Sequence, residues 1–277
     1  MPPAVRPFSR LRAIAAGAAV AMTLLAGCAT NGDPRDPLEP LNRGIYKFND
    51  GADNLVIKPA ALFYQQIVPE WMRSGVSNFF SNINDVIVAL NNLLQGKFSD
   101  AGSDVARLAI NTTVGVLGLF DFATGWGFDK HEEDFGQTLG YWGIGNGPYI
   151  VLPILGPSNL RDSVGWVGDY YAWPITYIDD DGTRNILIGM RVISGRAELI
   201  AAGRILETAA LDPYAFVRDA YFQRRRNLIY DGKPPDEEDL DAEDKPKPDA
   251  SKSPSATDPD PAAKDGKPAA PATGVRP

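Results

Sequence analysis

The sequence predicts an all-α domain. Three observations carry this reading: apolar residues recur at three- and four-residue steps over 76–95 and over 184–200, a mostly apolar helical run with one polar line covers 104–120, and an Asp-Pro start signal opens a last segment at 212. No fixed-period repeat is present, and 37–230 is a common size for one core.

Ahead of that domain stands an export signal. Arg6, Arg10 and Arg12 make a basic start, followed by the apolar "AIAAGAAVAMTLLAG" over 13–27, which is shorter than the ~20 residues a spanning helix needs. Leu25-Ala26-Gly27-Cys28 matches the bacterial lipobox, so cleavage is expected before Cys28 and diacylation on its thiol. Cys28 is the one cysteine of the chain, which excludes an internal disulfide. Several acyl chains on one residue make attachment durable. Ala29-Thr30-Asn31 follows, without the aspartate that commonly retains such proteins in the inner membrane, so the expected location is the outer membrane, facing the periplasm. The expected organisation is therefore a signal peptide over 1–27, an anchor and linker over 28–36, a helical domain over 37–230 and a tail over 231–277.

The tail carries twelve acidic and seven basic residues and no aromatic one. Rich in Pro, Asp, Lys and Ala, it cannot bury enough apolar surface to offset its chain entropy and reads as disordered. Net charge is −8, with no basic face for a nucleic acid.

Within the domain, Phe79, Ile83, Val86, Ile87, Leu90, Leu93 and Leu94 share one helical face, and Gly96 supplies a C-terminal stop. Opposite them, Asn78, Ser81, Asn82, Asp85, Asn92 and Gln95 form a polar face that is almost uncharged, whereas soluble helices usually expose Lys and Glu. In 104–120, Asp104, Arg107, Asn111, Gly115 and Gly118 fall on one narrow line. Two origins fit that line: a core helix, or a helix in lipid whose polar line faces a protein-lined cavity. On the second, Asp104, Arg107 and Asn111 are candidate channel-lining residues.

The stretch 138–163 contains Gly143, Gly145, Gly147 and Pro148, which forbid regular helix. "YIVLPILGP" (149–157) follows, readable as a buried loop or hairpin, or as an apolar loop immersed in a membrane, the preferred reading. Further on, Arg184, Arg191 and Glu198 share one face of an amphipathic helix and Ile186, Met190, Ile193, Ala197 and Ile200 another. Asp212-Pro213 opens the last helix, and Arg224-Arg225-Arg226 near its end complement the helix dipole and could meet lipid phosphates.

Enzyme chemistry finds no support. His131 is the one histidine, no G-x-S-x-G elbow accompanies it, and "HEEDF" is not a zinc-protease motif. A lone histidine among acidic residues reads as solvated. "GIGNG" precedes proline, not a helix, and "DDDGTRN" (179–185) lacks the alternate ligand spacing of a calcium loop, reading instead as a turn and helix cap. No metal or cofactor is expected beyond the covalent lipid on Cys28.

Four blocks carry a resemblance: "DPLEPLNRGIYKFND" (36–50), "NTTVGVLGLFDFAT" (111–124), "EDFGQTLGYWGIGNGPYIVLPILGPSNLRD" (133–162) and "DPYAFVRDAYFQRR" (212–225). In this order they resemble the MlaA/VacJ family of outer-membrane lipoproteins. The resemblance implies a helical ring seated in the inner leaflet around an amphipathic central channel. It implies removal of phospholipids from the outer leaflet and their transfer to a soluble periplasmic lipid carrier, in association with trimeric porins. On the residues, it places the family's glycine-rich loop at Gly143, Gly145 and Gly147, assigned as hinges beside the channel. The N-terminal motif falls on Leu41-Asn42-Arg43, where Leu41 replaces the usual phenylalanine. The competing readings are a scaffolding lipoprotein of the envelope, which need hold no phospholipid, and a lipid-modifying enzyme, which would depend on His131.

Overall fold

The computed structural model describes residues 33–235. The signal segment, Cys28 and nearly all of the tail lie outside the described residues. The chain divides into two units, Met1–Pro234 and Pro235–Pro277, and apart from Pro235 the described residues belong to the first.

A helical rod comes first. Helix α1 (Glu39–Ala52) runs through a widened π turn (Asp53–Ile57) into α2 (Lys58–Ile67). The widened turn lies directly before Pro59, which has no N–H to donate back to Leu55. Helix α3 (Glu70–Leu94) then stops as the sequence predicts: Gly96 takes φ +78°, its N–H reaches the Leu93 carbonyl and the Lys97 N–H reaches that of Asn92.

Helix α4 (Phe98–Thr113) starts and ends ahead of the expected 104–120. The chain turns through Val116, Leu117 and Gly118, all with positive φ. Gly115 and Gly118 therefore do not extend the polar line. A β-carbon on Gly118 would lie 2.6 Å from Asn82, so this turn seats against α3 only as glycine.

The remaining helices start with the side-chain caps that their sequences offer. Asp121 accepts from the Thr124 N–H at α5 (Phe122–Gly125), Asp134 from Gln137 at α6 (Phe135–Tyr141), and Asn159 from Asp162 at α7 (Leu160–Ala172). Asp180 accepts from Thr183 at α8 (Asp181–Glu198), which settles "DDDGTRN" as a cap. Helix α9 (Ile200–Ala209) has no such cap, and Asp212 accepts from Tyr214 and Ala215 at α10 (Pro213–Ile229). Helices α6 and α7 touch backbone to backbone, since a β-carbon on Gly165 would stand 2.4 Å from the Gly136 nitrogen.

One departure from an all-helical chain is a hairpin of β1 (Tyr149–Leu152) and β2 (Gly156–Asn159), in the register Tyr149↔Asn159 to Leu152↔Gly156. It corrects the expectation of a wholly immersed apolar loop. Tyr149 and Val151 are buried, while the tip, Pro153, Ile154 and Leu155, is exposed, as is Pro157. The outer edge of β1 is closed by side chains of α1. Asn42 donates to the Tyr149 carbonyl and accepts from the Val151 N–H, both at 2.9 Å. Two turns later Asn49 repeats the pattern with Leu152 and Ile154. An asparagine amide can donate and accept side by side as a peptide group does, so two of them replace a third strand, and the second N–H of Asn42 donates to Asp36 at 2.8 Å.

The interior is divided. Phe80 and Ile87 pack on Trp173 and Ile175, while Tyr149 and Val151 pack on Tyr214 and Phe222. On α3 and α4 many of the buried groups are polar: Asn82, Asp85, Asn92, Asp104, Arg107 and Asn111, beside Val88, Ala89 and Ala101. Apolar residues stand outside instead, with Leu55 79%, Phe98 72% and Trp71 71% exposed against 0% for Asp104 and 2% for Arg107. No helix among the described residues is long and apolar enough to cross a membrane.

Candidate functional site

Helices α3, α6, α7, α8 and α10 surround a cavity of about 900 Å³. One part of its wall is apolar, with Phe80, Ile87, Trp166, Tyr170, Trp173, Ile188 and Leu228; the rest is polar or charged, including Lys130, His131, Asp169, Arg191, Glu198 and Arg225. A second cavity of about 480 Å³, between α2, α3, α8 and α9, shares Ser77, Ser194 and Glu198 with it. The two spaces therefore share one strip of wall.

Ion pairs brace the polar side. Lys130 binds the buried Asp85 and donates to the Ser81 carbonyl at 3.0 Å. Arg225 lies between Asp134 (2.9 Å) and Asp162 (2.7 Å), and Arg224 reaches Glu132 at 2.9 Å. The arginine cluster is thus engaged across α10, α6 and α7, beyond any complement to a helix dipole. Burial pushes the Asp134 carboxyl up, but its bonds to Arg225 outweigh this and hold it below the usual range. Asp169 has weaker help. Its carboxylate accepts from the Phe135 N–H at 3.0 Å and from Asn91 at 3.2 Å, yet burial and then the Asp134 charge push its pKa up to about 6.

His131 is not the solvated residue expected. It lines the cavity, with Nδ1 2.8 Å from the buried Asp104.

The candidate channel residues have another place. Asp104, Arg107 and Asn111 do not line the cavity but lock α4 to its neighbours. Asn92 donates to Asp104 at 2.7 Å. Arg107 bonds to Thr124 (2.9 Å), to Asp121 (3.1 Å) and to the Phe128 carbonyl, and its Nε lies 3.7 Å from Asp85. Asn111 donates to Asp121 at 3.0 Å and accepts from the Ala123 N–H. The line at helical spacing is the core-helix alternative, with a polar core.

Gly143, Gly145 and Gly147 lie in an exposed loop outside the cavity wall. Gly143 and Gly147 adopt positive φ, which accounts for glycine there; Gly145 does not, and a β-carbon on it would meet nothing within 4 Å. Leu41 is half exposed, Asn42 is fully buried against β1, and Arg43 binds Asp212 at 2.6 Å while its guanidinium stacks 4.3 Å from the Tyr214 ring. The N-terminal motif therefore secures the hairpin and α10. Cys28 lies outside the described residues.

Sequence reasoning passed over Trp166, Asp169, Tyr170 and Trp173. The heptad step from Arg191 to Glu198 was the available signal, since both face the cavity. On this helix too, the apolar Ile186 and Met190 point outward.

Comparison with known proteins agrees with this architecture. The family model described as MlaA lipoprotein matches residues 34–228. The chain is 36% identical over 227 residues to the intermembrane phospholipid transport system lipoprotein MlaA of Escherichia coli, covering 78% of this chain and 86% of that protein. Its counterpart in Haemophilus influenzae is 32% identical over 219 residues, covering 76% and 87%. A solved structure described as the structural basis for maintenance of bacterial outer membrane lipid asymmetry matches with a TM-score of 0.61 and 33% identity, covering 70% of this chain and 98% of that one. The chain belongs to the MlaA lipoprotein family.

Proposed function

We propose that this protein is an outer-membrane lipoprotein, anchored through Cys28, that removes misplaced phospholipids from the outer leaflet. They pass by way of the larger cavity and are handed to a soluble periplasmic carrier, which maintains lipid asymmetry. A trimeric porin is the proposed partner in the membrane. The single observation that carries the reading is a cavity whose wall joins four aromatic rings to nine charged side chains, in a chain that exposes many large apolar side chains. A phospholipid needs a polar path for its headgroup while its acyl chains stay in apolar surroundings. No covalent step and no cofactor is called for: the protein lowers the barrier to moving a headgroup out of its leaflet.

The experiment is mass spectrometry of the full lipoprotein after gentle detergent extraction, beside outer-leaflet phospholipid in cells whose only copy is this chain. Acylated Cys28, bound phospholipid and a clean outer leaflet are expected. Acylated protein free of phospholipid, in cells whose outer leaflet fills with it, would overturn the reading. The hinge assignment has its own test. Gly145→Val meets no steric obstacle, so it should leave folding intact and slow lipid removal; an unchanged outer leaflet would reject the hinge.

A further inference from the structure

The cations lining the larger cavity are paired, with one exception. Lys130 meets Asp85, Arg224 meets Glu132, and Arg225 is held by two aspartates. Arg191 lines the same cavity from α8 and has no carboxylate partner among the described residues. Its guanidinium instead lies 4.6 Å from the centroid of the Trp173 ring. Trp173 is nine-tenths buried, at 9% exposure, and its indole N–H has no partner. Arg191 itself is among the exposed residues.

An arginine in this setting is held ready for an anion. Stacking on an indole fixes the plane of the guanidinium and leaves its N–H fork free, and the fork matches the paired oxygens of a phosphate. Every other cation in the wall already spends its charge on a carboxylate, so an anion entering the cavity gains most at Arg191. Beside it, Trp166, Tyr170 and Ile188 provide an apolar wall for whatever chain the anion carries. We propose that Arg191, seated on Trp173, binds the phosphate of a phospholipid headgroup within the larger cavity. The proposal rests on the transport reading and adds to it the position at which the headgroup is held.

The test uses the acylated, full-length protein held in amphipol and titrated with three probes: dioctanoyl phosphatidylglycerol, dioctanoylglycerol, which lacks the phosphate, and inorganic phosphate. Wild type is expected to prefer the phospholipid over the diglyceride by about tenfold or more. Arg191→Gln should reduce that preference to about twofold or less while still binding the diglyceride, which shows that the cavity is intact. A preference retained in Arg191→Gln would overturn the proposal and leave the transport reading standing. Wild type that bound neither lipid would overturn both. Saturation by inorganic phosphate with no preference for the phospholipid would make Arg191 a free-anion site and reject the headgroup assignment. Should Arg191→Gln bind neither lipid, Arg191→Lys decides: a preference that persists supports the cation's role, and equal binding of both lipids refutes it.

Discussion

On α3 and α4 the buried side chains include the polar Asn82, Asp85, Asn92, Asp104, Arg107 and Asn111 beside the small apolar Val88, Ala89 and Ala101, whereas around the hairpin the buried cluster is Tyr149, Val151, Tyr214 and Phe222. In the first region the apolar residues of the same helices, Leu90, Leu93, Leu94, Phe98 and Val105, are turned outward. In the second, aromatic rings pack at centroid separations of 5.6–6.2 Å, and the buried polar groups stand at their margin: the asparagines that close the β1 edge, and Asp36, which accepts from Asn42 and the Tyr214 hydroxyl and faces Arg218 at 3.5 Å. The difference teaches what holds each part together. In lipid, burial of an apolar face between helices yields little, because the surroundings are equally apolar, and interior hydrogen bonds and ion pairs set the register. The pairs Asn82–Thr112, Asp85–Arg107 and Asn92–Asp104 do this along the antiparallel α3–α4 seam.

The largest expected effect lies in that seam. Arg107→Met leaves Asp121 without its cation and Asp85 with Lys130 alone, and removing one member of such a buried set costs about 3–5 kcal/mol. Equilibrium urea unfolding in detergent measures it. A loss under about 1 kcal/mol would mean that the seam is held by its apolar neighbours, and the contrast between the two regions would disappear.

Next come the two edge-closing asparagines. Asn42→Ala strands the Tyr149 carbonyl and the Val151 N–H in the interior, at a cost of about 2–3 kcal/mol. Asn49→Ala affects the more exposed end of the hairpin and should cost about 1 kcal/mol. Equal losses in the two variants would show that burial does not grade the edge. Hydrogen exchange at Val151 and Ile154 reads the same difference locally.

The smallest effect concerns pH. Asp169 titrates near 6 in the folded chain, above its ordinary value, so the folded state holds its proton more tightly than the unfolded state does. Its ionised form therefore weakens the fold above about pH 6, and that penalty fades as pH falls toward 4. Asp169→Asn, which keeps an acceptor for the Phe135 N–H, should stabilise the protein by about 1 kcal/mol at pH 7 and change little at pH 4. The opposing groups act lower. Asp33 and Asp212, each held at about 2 chiefly by an arginine, lose their contribution only as pH drops below about 4. A pH 7 midpoint identical to wild type would remove Asp169 from the account.

Local chemistry was readable wherever it acts within one turn. The Asp180 and Asp212 caps, the proline at the start of α10 and the glycine stop at Gly96 depend only on neighbouring backbone, and each stands where the sequence places it. The uncharged asparagine face of α3 was visible as well, and so was the polar line of α4. What the periodicity could not tell is the direction in which each face points. A helix with one apolar and one polar side reads the same whether water or lipid surrounds it, and only the packing of α3 on α4 turns Asp104, Arg107 and Asn111 inward. Composition along 149–157 likewise could not separate a hairpin from an immersed loop, because the partners that close the β1 edge, Asn42 and Asn49, lie about a hundred residues earlier.

By itself, the sequence determined the helical class, those starts and stops that caps, proline and glycine signal and, through its four blocks, the family. The tertiary structure decided which side of each helix is the inside, which charges neutralise one another, and that Arg191 alone among the cavity's cations is left without a carboxylate. The reason is physical: caps and periodicity are set by bonds between near neighbours, whereas burial, pairing and pKa depend on distances between residues that only the folded chain brings together.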